Sequence, residues 1–317
     1  MSTNPVVSPA IEIRGLVKHF GTTVAVDGLD LVVGRDEIVA VLGPNGAGKT
    51  TTIDVCSTLI PAGGGTVRVA GYDVSREPAA VRQRISVTGQ FAALDDELTG
   101  TENVELFGRL LGLGRSESRR RASELLERFS LADAAGRRVK TYSGGMRRRL
   151  DLAVSIVRPP EVLFLDEPTT GLDPRSRAEL WDIVRDLNED GTSILLTTQY
   201  LEEADRLAHR IVVIDHGRVV AEGTAEALKE RVGGSVIEVT PIDPAIPGPV
   251  RDALAGLGQV VVEAETGVVA VKVADGVDVL AVARSLDAAG VAVSELGTRR
   301  PSLDEVFLAL TGTGVDA

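Results

Sequence analysis

Residues 43–50 read Gly-Pro-Asn-Gly-Ala-Gly-Lys-Thr, a glycine-rich loop that closes on a lysine and a hydroxyl. The apolar run Ile38-Val39-Ala40-Val41-Leu42 leads into it and a helix-compatible run from Thr51 to Leu59 leads out, so the G-x-x-x-x-G-K-[ST] spacing stands in the strand-to-helix context of a phosphate cradle. Gly43, Gly46 and Gly48, with Pro44, Asn45 and Ala47 filling the turn, let successive backbone N–H groups converge on one anion. The helix carrying Thr51 adds its own unpaired N–H groups and positive dipole end. Lys49 can reach the β- and γ-phosphates of a nucleotide as a point charge, and the Thr50 hydroxyl is suited to ligate Mg²⁺. An ordinary glycine-rich turn would not need all eight positions.

A second set of groups closes Val162-Leu163-Phe164-Leu165-Asp166-Glu167-Pro168, an apolar strand ending in two carboxylates. Asp166 is suited to hold Mg²⁺ through water, and Glu167, pointing elsewhere, can polarise a water for attack on the γ-phosphate. Ser143-Gly144-Gly145 opens a helical pattern with a good N-cap and free N–H groups, a second anion-suited helix start in the same chain. Phe20 stands before the Gly21 turn among polar neighbours, where stacking on an adenine ring would account for it. Gln90 falls at a strand's loop end and by itself says nothing; Thr198-Gln199 ends the strand from Ser193 to Thr197.

Positioning these groups calls for strands alternating with helices, hence a mainly parallel sheet with the ligand at its carboxyl ends. Short strands are expected ahead of the loop at Ile11 to Ile13, Val24 to Val26 and Leu29 to Val33, broken by Gly15, Gly21, Gly28 and Gly34, with an edge strand at Thr66 to Val69. Thr101 to Leu111 and Glu117 to Phe129 carry apolar positions at helical spacing, which predicts a helical insertion over about residues 95–160. The turn Gly171-Leu172-Asp173-Pro174 precedes a helix from Arg175 to Leu187, and strands Ile211 to Ile214 and Arg218 to Ala221 close this first domain, residues 1–234. Residues 235–317 form a second domain, set off by Gly233-Gly234 and four prolines from Pro241 to Pro249. Its strands at 235–240, 259–264, 267–273 and 291–297 and helices at 249–256 and 276–289 give the order βαββαβ, a ferredoxin-like α+β unit with a trailing helix from Leu303. That helix starts with Ser302 and Glu305 in capping-box spacing. Its apolar face, Leu303, Val306, Phe307 and Leu310, is expected to cover its own sheet, the first domain or a second copy.

Composition narrows the function classes. The formal net charge of −12 argues against nucleic acid as the main ligand, since a phosphate backbone is bound largely by clustered Lys and Arg. The second domain carries twelve acidic against five basic side chains. Two arginine triplets, 119–121 and 147–149, read as solvated helix faces with local ion pairs. No run approaches the roughly eighteen apolar residues of a spanning helix, and the N-terminus lacks a charged segment followed by an apolar one, which points to a soluble, non-secreted protein. Cys56, the single cysteine, reads as a small core residue.

With Gly43 to Thr50, Gln90, Ser143-Gly144-Gly145, Asp166-Glu167 and Asp173 in this order, the chain resembles the ATPase subunit of an ABC transporter over roughly residues 10 to 232. The strings from Thr141 to Leu150 and Leu196 to Asp205, with the closing Ser302 to Leu308, are similar to the daunorubicin-resistance type of exporter. The resemblance implies ATP and Mg²⁺ as cofactors and a head-to-tail dimer with each nucleotide between the phosphate loop of one copy and Ser143-Gly144-Gly145 of the other. It further implies that Phe20 stacks on adenine, Gln90 contacts Mg²⁺ and relays to the membrane partner, and Asp173 couples the two sites. A separate integral membrane permease would hold the chain at the cytoplasmic face, and the cargo would be a drug, an antibiotic or a hydrophobic lipid-like compound. Tyr142 and Met146 stand where leucine and glutamine are usual, and Gln199 where a switch histidine is usual. A glutamine amide can still donate to the γ-phosphate but cannot titrate. The competing reading is a soluble ABC ATPase with a regulatory, non-transport role.

Overall fold

The computed structural model describes residues 8–89, 94–231, 236–243, 245–263, 266–273, 278–299 and 302–311. Two units divide the chain, Met1–Ala225 and Glu226–Ala317. In the first, chain order is β1 (Ile11–Phe20), β2 (Thr23–Val33), β3 (Ile38–Leu42), α1 (Lys49–Cys56), β4 (Gly64–Val69), β5 (Tyr72–Asp73), α2 (Pro78–Arg82), β6 (Ile85–Thr88), α3 (Gly100–Leu110), α4 (Arg115–Arg128) and α5 (Gly144–Ser155). It continues with β7 (Val162–Asp166), α6 (Pro174–Glu189), β8 (Ser193–Thr198), α7 (Leu201–Leu207), β9 (Arg210–Asp215) and β10 (Arg218–Gly223).

The central sheet has the order β10-β9-β3-β8-β7-β6 and is parallel except where β10 returns against β9. Every residue of β3, β7 and β8 is buried, which is why these strands read as continuous apolar runs rather than alternating ones. A second, antiparallel sheet, β2-β1-β4-β5, packs its apolar side chains with those of the central sheet and α1 in one core that includes Ile13, Leu29, Val41, Val55, Phe164 and Cys56. Burial pushes the Cys56 thiol up to about 12, as befits an inert core residue.

Two expectations are corrected. Gly15 and Gly28 do not break the early strands: each takes positive φ, 57° and 72°, beside a register shift, and pairing resumes past the bulge, so β1 runs ten residues and β2 eleven. The arginines of the second triplet are not a solvated face. Arg147 pairs with Asp96 at 2.6 Å, but Arg148 and Arg149 turn inward, Arg149 towards Glu179 and the Phe129 carbonyl. In the first triplet Arg121 also turns in, donating to the Val157 and Ile156 carbonyls at the end of α5.

The helical insertion is present as α3, α4 and α5. A capping box starts α3: Glu102 N–H donates to Thr99 Oγ1 at 3.2 Å while Thr99 N–H donates to Glu102 Oε2 at 2.8 Å.

The second unit contains β11 (Val236–Pro241), α9 (Gly248–Leu254), β12 (Gly258–Val262), β13 (Val269–Val273), α10 (Val279–Ala288), β14 (Val293–Arg299) and α11 (Leu303–Thr311); α8 (Ala225–Arg231) spans the division. Sheet order β12-β13-β11-β14, antiparallel throughout, is the arrangement of a ferredoxin-like split βαβ unit. Ile237, Val239, Val269 and Val271 face α9 and α10 through Val250, Leu254, Val282 and Leu286. The alternate residues Val236, Ala270 and Lys272 line a cavity of about 740 Å³ on the other face, bordered by Leu308 and Ala309 of α11. Leu303, Val306 and Phe307 of that helix are buried; the side chain of Leu310 lies outside the described residues. Among the described residues no helix is long and apolar enough to cross a membrane.

Candidate active site

The loop between β3 and α1 depends on close approach. Gly48 adopts φ 102°, and a Cβ there would stand 2.4 Å from the Ala25 carbonyl oxygen, so only glycine lets the loop reach β2 and still open α1. Lys49, 5% exposed, donates from Nζ to the carbonyls of Gly43 at 2.6 Å and Pro44 at 3.2 Å, and stands 3.7 Å from Glu167 Oε1. Burial holds its amine below the ordinary lysine range, against the opposing pull of Glu167 and Asp166.

At the end of β7, Asp166 accepts from Thr50 Oγ1 at 3.0 and 3.2 Å and from Thr197 Oγ1 of β8 at 2.5 Å. One hydroxyl and one carboxylate, both hard oxygen donors, fit a divalent ion that keeps waters and takes its remaining ligands from phosphates. Glu167, the next residue, bends away with φ 48°, a left-handed conformation that costs a non-glycine residue roughly 1–3 kcal/mol. Its N–H donates to the Thr197 carbonyl at 3.0 Å, and Thr170 Oγ1 donates to its Oε2 at 3.3 Å. The bend separates the two carboxylates: Asp166 turns to Thr50, Glu167 to Lys49.

Phe20, 51% exposed with Lys18 Nζ 5.2 Å from its ring centroid, shares a cleft of about 320 Å³ with Asn45, Gly46, Lys49, Thr51 and Glu167. Ser143, Gly144, Gly145, Asp173 and Gln199 do not line this cleft. The first four meet elsewhere. Ser143 caps α5 by accepting from Met146 N–H; Asp173 caps α6 by accepting from Ser176 N–H at 3.0 Å and its hydroxyl at 2.7 Å, bonds that hold the Asp173 carboxyl below its usual range. A Cβ on Gly145 would come within 2.4 Å of that same Ser176 hydroxyl, so the two helix starts are packed to contact. Gln199 is half-buried just past β8, two residues beyond Thr197. Gln90 lies outside the described residues. Tyr142 explains its departure from leucine: its buried ring passes the start of α3 and its hydroxyl donates to the Ala134 carbonyl at 2.8 Å, in space that a Cβ on Gly100 would enter at 2.3 Å.

A glycine-rich loop between strand and helix, a buried lysine, and a carboxylate pair on a parallel strand beside them define a P-loop nucleotide-binding domain. Residues 26–170 match the ABC transporter family, and residues 223–311 match the C-terminal domain of DrrA1-3-like ATP-binding proteins. The chain is 55% identical over 304 residues to the daunorubicin resistance ATP-binding protein DrrA3 of Streptomyces coeruleorubidus, covering 96% of both. It is 51% identical to the daunorubicin/doxorubicin resistance ATP-binding protein DrrA of Streptomyces peucetius, over 100% of this chain and 96% of that one. A solved dimeric ATP-binding cassette, bound to ADP and phosphate in a post-hydrolysis state, is similar at 25% identity with a TM-score of 0.62, covering 68% of this chain and 98% of that one. The chain belongs to the ATP-binding proteins of ABC transporters, in the DrrA-like group. It is an ATPase.

Proposed function

We propose that this ATPase energises export of a drug, an antibiotic or a hydrophobic lipid-like compound through a separate membrane permease, at whose cytoplasmic face it sits. The observation that carries the reading is the convergence of Lys49, Thr50 and Glu167 on one cleft beside an exposed aromatic, with Asp166 bonded to Thr50, in a chain similar end to end to drug-resistance ATP-binding proteins. The adenine stacks on Phe20, and the phosphates enter the loop from Gly43 to Thr50. Lys49 then exchanges its loop carbonyls for phosphate oxygens. Thr50 and Asp166, with Gln90, would hold Mg²⁺, which would supply charge neutralisation on the phosphates. Glu167 orients and deprotonates the attacking water, with the Gln199 amide donating to the γ-phosphate.

Two copies arranged head to tail complete the site. Support comes from the separation just described: Ser143, Gly144, Gly145 and Asp173 form a second anion-suited cluster off the wall of the Lys49 cleft, where another copy's nucleotide can be met. Asp173, fixed by Ser176 at the same contact, couples the two sites. Closing and reopening this dimer moves the permease between inward- and outward-facing states.

The test is an affinity capture of the tagged Glu167→Gln chain, with ATP, from detergent-solubilised native membranes. Co-purification of a multi-spanning membrane protein is expected. Recovery of ribosomes, nucleic acid or the chain alone would contradict the transport role.

A further inference from the structure

Arg148 is the least expected side chain of the first unit: an arginine in a helix, 12% exposed, with no solvent-facing role. Its guanidinium makes bonds in three directions. Nε donates to the Pro168 carbonyl at 2.7 Å and Nη2 to the Asp166 carbonyl at 3.5 Å, the peptide oxygens on either side of Glu167. Nη1 donates to the Gly89 carbonyl at 2.6 Å, the residue immediately before Gln90, and to Asp151 Oδ2 at 3.3 Å one turn along α5. Asp151, Glu203 and Asp166 supply the negative field that keeps this buried cation charged against the pull of desolvation.

The geometry answers a question that Glu167 raises. A glutamate with φ 48° must be held there by its surroundings: its own contacts are the Thr197 carbonyl and hydroxyl on its N–H, the Thr170 N–H on its carbonyl, and Thr170 Oγ1 and Lys49 Nζ on its carboxylate. The planar fork of an arginine can bind two carbonyls that flank one residue; the single ammonium of a lysine cannot span them in the same way. We propose that Arg148 is a positioning residue for hydrolysis, fixing the backbone on both sides of Glu167 so that its carboxylate faces the cleft, and joining that backbone to the helix whose first residues are Ser143, Gly144 and Gly145. This rests on the reading of Glu167 as the general base. Because Arg148 lies five residues along the helix that Ser143 caps, a ligand engaging that cap pulls on the same rigid element that aims Glu167.

The full-length chain tests this with four variants: Arg148→Lys, Arg148→Met, Glu167→Gln, and Arg148→Lys combined with Glu167→Gln. Single-turnover hydrolysis, ATP affinity and the melting temperature are measured for each. Arg148→Lys is expected to lower the hydrolysis rate by about 10- to 100-fold through misplacement of the carboxylate. Its ATP affinity should stay at the wild-type value while the melting temperature falls modestly, because the Gly89 and Pro168 carbonyls lose a buried donor; Arg148→Met should also keep ATP affinity, with larger losses of rate and melting temperature. Added to Glu167→Gln, the lysine substitution should produce no further loss, since its effect passes through that carboxylate. A wild-type rate in Arg148→Lys overturns the proposal. So does a multiplicative loss in the double variant, and so does a fall in ATP affinity parallel to the rate, which would make Arg148 a support of the fold only. Full hydrolysis by Glu167→Gln would instead overturn the reading of the base, independently of Arg148.

Discussion

Glu167 and Lys49 stand 3.7 Å apart in the cleft yet are asked to do different things, and substitution separates them. Glu167→Gln keeps the size and one acceptor but cannot take a proton, so hydrolysis should fall by about 100-fold or more while ATP still binds; steady-state turnover and nucleotide binding read the two effects. Lys49→Ala removes the cation itself, and ATP affinity should fall; normal binding by that variant would contradict the cradle. A third residue makes a pH prediction. Glu203, buried behind the end of β8, accepts from Trp181 Nε1 at 3.0 Å, and burial pushes its carboxyl above the ordinary value of 4.5 despite hydroxyls nearby and Arg148. A raised carboxyl means that the folded chain holds the proton where the unfolded chain has lost it. The stability is then complete below the unfolded value and is lost as pH rises through the folded one. Glu203→Gln should therefore raise the melting temperature near neutral pH, with the gain vanishing below about pH 4. Lys49, Thr50, Asp166 and Glu167 were legible in the sequence because a phosphate loop and a strand-end carboxylate pair are local patterns. Thr197 and Arg148 were not. Their partners, Asp166 and the Pro168 and Gly89 carbonyls, are distant in sequence and are brought near only by strand pairing and helix packing.

Elements show the same division between local and non-local information. The buried strands β3, β7 and β8 declare themselves by unbroken apolar runs, and α3 by its capping box. The extended lengths of β1 and β2 do not, because a glycine that ends a strand and one that bulges it look alike until the partner strand is known. In the second unit the order βαββαβ was readable from periodicity, whereas the sheet order that gives it a ferredoxin-like topology follows from handed, non-local pairing. Tyr142 belongs to this scale, since it fastens α3 to the segment leading into α5. Tyr142→Phe removes one of two donors to the Ala134 carbonyl, the Arg137 N–H at 2.9 Å remaining, and should destabilise the fold by about 0.5–1.5 kcal/mol in chemical unfolding. An unchanged midpoint and slope would show that water replaces the hydroxyl.

At the scale of the molecule, one chain presents a phosphate cleft and, away from it, a second helix-start cluster in which Gly145 and Asp173 are in contact through Ser176, next to the Ser143 cap. A monomer uses only the first; a head-to-tail pair uses both. The direct measurement is the mass of the Glu167→Gln chain by light scattering during size exclusion, with and without ATP and Mg²⁺, together with the nucleotide retained per chain. A 33.3 kDa species is expected without nucleotide, and a doubled mass holding one ATP per chain with it. A species of 33.3 kDa that retains ATP would contradict the two-copy site.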